Sequence, residues 1–139
     1  MFNTKKLFKT VIYMNIIVHV NTFNELLSQF ILFLETNVSS CKSDLILVQT
    51  TIDLLKRSNP RLVVTQFMDT IMPYKKEIID CNESFFLNFE KNMKSDINAD
   101  NMLQGMKLCK IWTSDIDQKC KARIFVYFHK LIKIGEKCI

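Results

Sequence analysis

The sequence contains few of the residues that interrupt secondary structure, with two glycines and two prolines among 139 residues. Turn-rich β-sandwiches and barrels need more of both, so this composition disfavours those folds, and it also disfavours a disordered chain. Hydrophobic residues make up 48% of the chain and include eleven phenylalanines, enough to bury a core without a disulfide or a metal. At this length we predict a single helical domain over residues 1–139.

The sequence also lacks motifs for catalysis, cofactors and metals. It has no glycine-rich phosphate loop, and its five cysteines form no CxxC pair or Cys/His cluster of the kind that binds zinc. His19 and His129 have no Cys, Ser or carboxylate three or four residues further on. We therefore predict a non-enzymatic protein with no cofactor, metal or catalytic residue. Glu77, Asp80 and Glu83 are carboxylates at spacing three, which either hold a cation or form a solvated helix edge.

Acidic residues are absent from the first 13 positions, which contain Lys5, Lys6 and Lys9. Residues 107–139 contain eight basic and three acidic residues, whereas residues 14–106 contain more acids than bases. Basic ends on an acidic body indicate a partner with negative charge, or simply a solvated terminal helix.

Residues 1–13 are predicted to be a basic N-terminal extension, and the apolar run from Val11 to Val20 imitates the hydrophobic part of a signal peptide. Asn15 and His19 interrupt that run, and no small-x-small cleavage site follows it. The run is also shorter than the roughly 20 residues that span a bilayer. The sequence therefore predicts a protein that is not secreted and has no transmembrane segment.

Apolar residues recur at spacings of three and four along most of the chain, which predicts amphipathic helices. The first such seam covers residues 16–34 and indicates one continuous helix, whereas a capping-box pattern of Thr22 with Glu25 allows a break near Asn21 as the alternative. Pro60 after Asn59 predicts the start of a new helix, because the missing N–H of proline is harmless in a first turn. The predicted fold is all-α, a compact irregular bundle of about six helices with a long C-terminal helix.

The last helix is predicted to begin with a capping box formed by Ser114 and Asp117 and to end at Gly135 as a C-terminal cap. Residues 90–100 are polar and are predicted to include a loop. The buried seam of the last helix is predicted to consist of Cys120, Ile124, Tyr127, Leu131 and Ile134.

Two sets of residues are candidates for a binding role. The first is a stripe on the last helix, turned away from its seam, and consists of Lys119, Arg123, Lys130, Lys133 and Lys137. Such a stripe can follow phosphates, dock an acidic partner or an anionic membrane, or be an ordinary solvated face. The second set, Phe85, Phe86 and Trp112, is either part of the core or a set of exposed aromatic anchors for a partner.

Four groups of residues, spread over roughly residues 22–137, follow a familiar order. They are Phe23-Asn24-Glu25-Leu26; Asn59-Pro60-Arg61 with Phe67 and Pro73-Tyr74; Glu83-Ser84-Phe85-Phe86; and Ile111-Trp112 with Lys121 and Tyr127. This order resembles a family of small all-helical proteins of unknown function in large nucleocytoplasmic DNA viruses of amoebae and algae. Phe125 stands where such proteins often have a second tryptophan. Residues 1–13 lie outside the resemblance, which makes Met14 an alternative start.

The resemblance implies a viral protein that acts inside the infected cell, in the host cytoplasm or a viral factory. Together with the missing catalytic motifs, it predicts a non-enzymatic interaction protein that contacts host or viral proteins and forms a homodimer. The alternative prediction is binding of nucleic acid without sequence specificity, or of another anionic surface, through the basic stripe of the last helix.

Overall fold

A computed structural model of the chain describes residues 3–92 and 106–139. Within these ranges the backbone is almost entirely helical, which confirms the predicted all-α bundle with a long C-terminal helix. Short 3₁₀ turns precede the second and fourth helices. The helices are α1 (Thr4–Asn37), α2 (Lys42–Ser58), α3 (Pro60–Ile71), α4 (Lys75–Ile79), α5 (Ser84–Asn92), α6 (Leu108–Trp112) and α7 (Gln118–Lys137).

The first helix, α1, is continuous over 34 residues, which confirms the continuous seam and excludes the alternative break near Asn21. The Thr22 hydroxyl donates to the Val18 carbonyl 2.9 Å away within the helix, and does not cap a new one. Val20 and Phe23, on either side of this alternative break, are both buried in the same core. Continuous packing on one face therefore outweighs the local capping pattern.

The junction between α2 and α3 follows the sequence prediction. Pro60 is the first residue of α3, and the Asn59 N–H closes α2 by donating to the Leu55 carbonyl at 2.7 Å. The tight turn brings α3 against both α1 and α2. The α3 helix then ends at Ile71, before Pro73 enters the next 3₁₀ turn.

The last helix lies antiparallel to the C-terminal part of α1. Tyr127 stacks on Phe30 with ring centroids 4.9 Å apart and also contacts Phe33. At the other end of α7, Lys137 lines the same groove as Thr22 of α1. The end of α7 therefore lies close to the point where α1 leaves the bundle.

Phe128 of α7 lies at the centre of the core and is fully buried. Its ring lies within 6.0 Å, centroid to centroid, of four phenylalanine rings from three other helices, Phe30, Phe67, Phe85 and Phe86. The predicted seam of α7 is correct but too narrow. Cys120, Ile124 and Leu131 are buried as predicted, Tyr127 and Ile134 are half-buried, and Phe125, Phe128 and Ile132 are buried as well.

The ends of α7 differ from the sequence prediction. Asp117 is the N-cap, since its carboxylate accepts a hydrogen bond from the Cys120 N–H at 2.7 Å, whereas the Ser114 hydroxyl bonds the Ile111 carbonyl. Gly135 lies inside the helix and is buried, so it does not cap it. A Cβ at this position would overlap the Met68 side chain, which shows that the glycine allows α7 to approach α3 closely. Much of the predicted 90–100 loop lies outside the described residues.

Candidate functional site

The basic stripe predicted on the last helix is a real surface of α7. All five of its side chains, those of Lys119, Arg123, Lys130, Lys133 and Lys137, are exposed. None of the five forms an ion pair with another residue in the ranges 3–92 and 106–139. Their charges therefore face solvent and are available to a partner. We call these five residues the basic face.

Three residues of the basic face, Lys130, Lys133 and Lys137, line a groove of about 600 Å³ between α7 and α1. The opposite wall includes Glu25, the one acidic residue of the lining. Its carboxylate also faces Lys56 of α2, with 4.0 Å between nitrogen and oxygen. The groove therefore combines three ammonium groups with a single carboxylate that is shared with a further lysine.

The remaining walls of this groove are not strongly polar. Leu26 of α1 and Ile134 of α7 are half-buried and line it together with Asn21, Thr22 and Gln29. Nearer the N-terminus of α7, the Arg123 guanidinium lies over the ring of Phe33 of α1, 5.3 Å from its centroid. Cation–π contact holds a charge near an apolar surface without neutralising it. The site is thus a positively charged, partly apolar groove.

The predicted aromatic anchors are corrected by the structure, which buries Phe85, Phe86 and Trp112. Phe86 and Trp112 stack face to face at 4.1 Å, and the Trp112 indole N–H donates to the Glu83 carboxylate at 3.2 Å. The Lys121 ammonium covers the ring from outside, 5.1 Å from its centroid. Buried rings of this kind pack α5 and α6 onto α7, and they present no exposed anchor to a partner.

A cysteine and a histidine that are far apart in sequence meet on the other side of α7. The Cys81 sulfur lies 3.9 Å from His129 Nε2, in a pocket of about 460 Å³, and Cys81 has a left-handed backbone with φ of 54°. The same Nε2 lies 2.7 Å from the Ile78 carbonyl oxygen. A nitrogen that donates its proton to this carbonyl has no lone pair left for the thiol proton. The pair is therefore not arranged as nucleophile and base.

The three carboxylates at spacing three do not form a cation site. Glu77 lies on α4, Asp80 follows its end, and Glu83 is engaged by the Trp112 indole. No group of three or more His, Cys, Asp or Glu side chains that could hold a metal occurs in the described part of the chain.

The first 16 residues of α1, from Thr4 to His19, are exposed or half-buried, with Ile16 packed against the core, and we call this segment the arm. None of its residues is buried, although Phe8 (68% exposed), Tyr13 (60%) and Met14 (59%) are large and apolar. By length and composition α1 is the one described helix that could cross a membrane, and its second half is a core helix. The predicted absence of a transmembrane segment stays a prediction.

No family model, curated protein or solved structure matches this chain. The resemblance to a viral family stays a prediction from the sequence.

Sequence reasoning found the basic face but missed the groove and the pairing of Cys81 with His129. Both depend on which helices become neighbours, and neither leaves a local signal, since Cys81 and His129 are 48 residues apart. The three lysines near the start of the arm are a weak indication in the sequence that this segment is exposed.

Proposed function

We propose that this chain is a non-enzymatic interaction protein that binds a negatively charged partner through the basic face of α7. The observation that supports this best is the convergence of Lys130, Lys133 and Lys137 on one groove with a single carboxylate. Clustered like charges raise the local concentration of an oppositely charged partner and its rate of association. They also destabilise the free protein slightly, a cost that a bound anionic partner would relieve.

The other constellations support an enzyme less well. His129 Nε2, the nitrogen nearest the Cys81 sulfur, is hydrogen-bonded to a backbone carbonyl. The aromatic side chains of Phe85, Phe86 and Trp112 are buried in the core. Action inside an infected cell, host or viral protein partners, and pairing of two copies stay predictions from the sequence.

The test is retention of the full chain on a sulfated polymer such as heparin, eluted with rising salt. Lys130→Glu with Lys133→Glu reverses two charges of the groove and is expected to lower the eluting salt concentration markedly. The matched control is Lys76→Glu with Lys110→Glu, which changes the net charge equally at exposed sites away from the basic face. Equal loss in both variants would mean that retention follows net charge alone, and the proposal would fail.

A further inference from the structure

An apolar stripe runs along the arm. Leu7, Val11, Met14 and Val18 follow each other at spacings of four, three and four, and all four are between 47% and 59% exposed. At 3.6 residues per turn this spacing forms a single apolar stripe along the helix, the arm stripe. Lys5, Lys6 and Lys9 lie between about 110° and 170° around the helix from it. Exposed apolar side chains also lie outside the stripe, at Phe8, Ile12, Tyr13 and Ile17, so most of the arm surface is apolar and its basic residues are confined to its first two turns.

The arm stripe and the basic groove lie on the same side of α1. Glu25 follows Val18 by seven residues, which is almost two full turns, and Gln29 follows by one more turn. Both Glu25 and Gln29 line the groove with Lys130, Lys133 and Lys137. One side of the molecule therefore presents an exposed apolar helix that continues directly into a cluster of ammonium groups.

We propose that this side of the molecule lies on an anionic lipid bilayer, with the arm in the plane of the interface. The arm stripe would enter the boundary between headgroups and acyl chains, and Lys130, Lys133 and Lys137 would contact the anionic headgroups. The inference rests on the proposed function, because it names the partner of the same three lysines.

The length and charge of the arm favour the interfacial position over a spanning one. At a rise of 1.5 Å per residue, residues 4–19 extend about 24 Å, less than the roughly 30 Å hydrocarbon core. Insertion tip first would also carry Lys5, Lys6 and Lys9 into that core. Lying flat, these side chains reach up to the headgroup layer while their aliphatic stems stay near the lipid.

The same charges disfavour a second copy of the chain as the occupant. The arm stripe covers about one and a half heptads, whereas a coiled coil needs three to four. No acidic residue occurs before Glu25, so the arm of a second copy would bring no carboxylate to the lysines of the arm or of the groove. A surface of anionic lipid provides the opposite charge.

The experiment is co-flotation of the full chain with phosphatidylcholine vesicles, with and without phosphatidylserine. Val11→Ser with Met14→Ser removes apolar groups from the arm stripe and is expected to weaken binding to the anionic vesicles about tenfold or more. The matched control is Thr10→Ser with Asn15→Ser, which changes polar positions of the arm and is expected to bind like the wild type. Urea midpoints of all variants show that the bundle is intact.

Several results would overturn the inference: no flotation of the wild-type chain with anionic vesicles, or equal flotation of the Val11→Ser, Met14→Ser variant. So would a wild-type dimer that this variant converts to a monomer, because the arm stripe would then be a self-association seam. The inference would also fail if mass spectrometry of the protein isolated from cells showed that the arm is cleaved off. If heparin retention persists while flotation fails, the membrane inference alone is wrong, whereas loss of both removes the proposed function as well.

Discussion

The two halves of α1 have nearly the same apolar content and opposite environments. Residues 4–19 and residues 20–37 each contain nine large apolar residues, yet the first half has no buried residue and the second half supplies much of the core. The difference lies in what surrounds them. The last helix, α7, ends at Lys137, beside Thr22, and every residue of the arm is exposed or half-buried. Apolar residues at helical spacing favour a helix in both halves of α1. The elements packed around each half decide whether it is part of the core or an exposed surface for a partner.

The comparison predicts a large difference in stability between two phenylalanines of this one helix. Phe30 is fully buried between Tyr127 and Phe128, so Phe30→Ala is expected to lower the free energy of unfolding by about 3–5 kcal/mol. Phe8 is 68% exposed, so Phe8→Ala is expected to change it by no more than about 0.5 kcal/mol. Urea unfolding followed by circular dichroism measures both.

A substantial loss of stability in Phe8→Ala would show that the arm is packed against something in solution, and the contrast between the halves would disappear. In the co-flotation assay with vesicles the two variants should differ in the opposite sense, since only Phe8→Ala changes the arm and should alter lipid binding.

A smaller contrast is expected for two asparagines. Asn24 is buried, its amide donates to the Pro60 carbonyl at 3.2 Å, and its own oxygen has no partner. Asn24→Ala removes this hydrogen bond but also removes the unpaired oxygen, so we expect a loss of about 1 kcal/mol. Asn15 on the arm is exposed, and Asn15→Ala should be neutral or stabilising by up to about 0.5 kcal/mol, since alanine is the better helix former.

Thermal or urea unfolding of both asparagine variants under one set of conditions checks this pair. A neutral Asn24→Ala would mean that the unpaired oxygen costs as much as the hydrogen bond contributes.

The fold was largely predictable from the sequence because its signals are local. The spacing of apolar residues gives the helices, and Pro60 gives the start of α3. The wrong predictions came from local capping patterns at Ser114 and Gly135, and the break that the pattern at Thr22 allowed does not occur, because tertiary packing overrode all three patterns. Gly135 is the clearest case, because its neighbour Met68 lies on another helix and no local rule points to it.

The candidate site was predictable in part for a similar reason. The basic face follows from helical spacing within α7 alone. The groove needs α7 to run antiparallel to α1, and the shared side of the arm stripe and the groove needs α1 to be continuous through Asn21. A break near Asn21, the alternative that the capping pattern left open, would remove that relation.

The smallest expected effect concerns alkaline pH and separates the bundle from the arm, which contains no cysteine. Burial, and then the Asp117 carboxylate, raise the pKa of the Cys120 thiol above 9.0, against the opposing charge of Arg123. Burial raises the pKa of the Cys138 thiol too, against Arg61. The unfolded chain therefore loses these protons at a lower pH than the folded one does. The resulting stabilisation is complete below about pH 9 and declines as the pH rises further.

Urea midpoints measured under reducing conditions between pH 8 and pH 10 should therefore fall more steeply for the wild type than for Cys120→Ala with Cys138→Ala. All other titratable groups are the same in both proteins, so the difference in slope isolates the two thiols. Cys81→Ala is the control, because Cys81 is exposed and its removal should leave the wild-type slope unchanged. Since the arm has no such groups, changes confined to it should leave the slope unchanged as well, and a changed slope in Val11→Ser with Met14→Ser would tie the arm to the bundle after all.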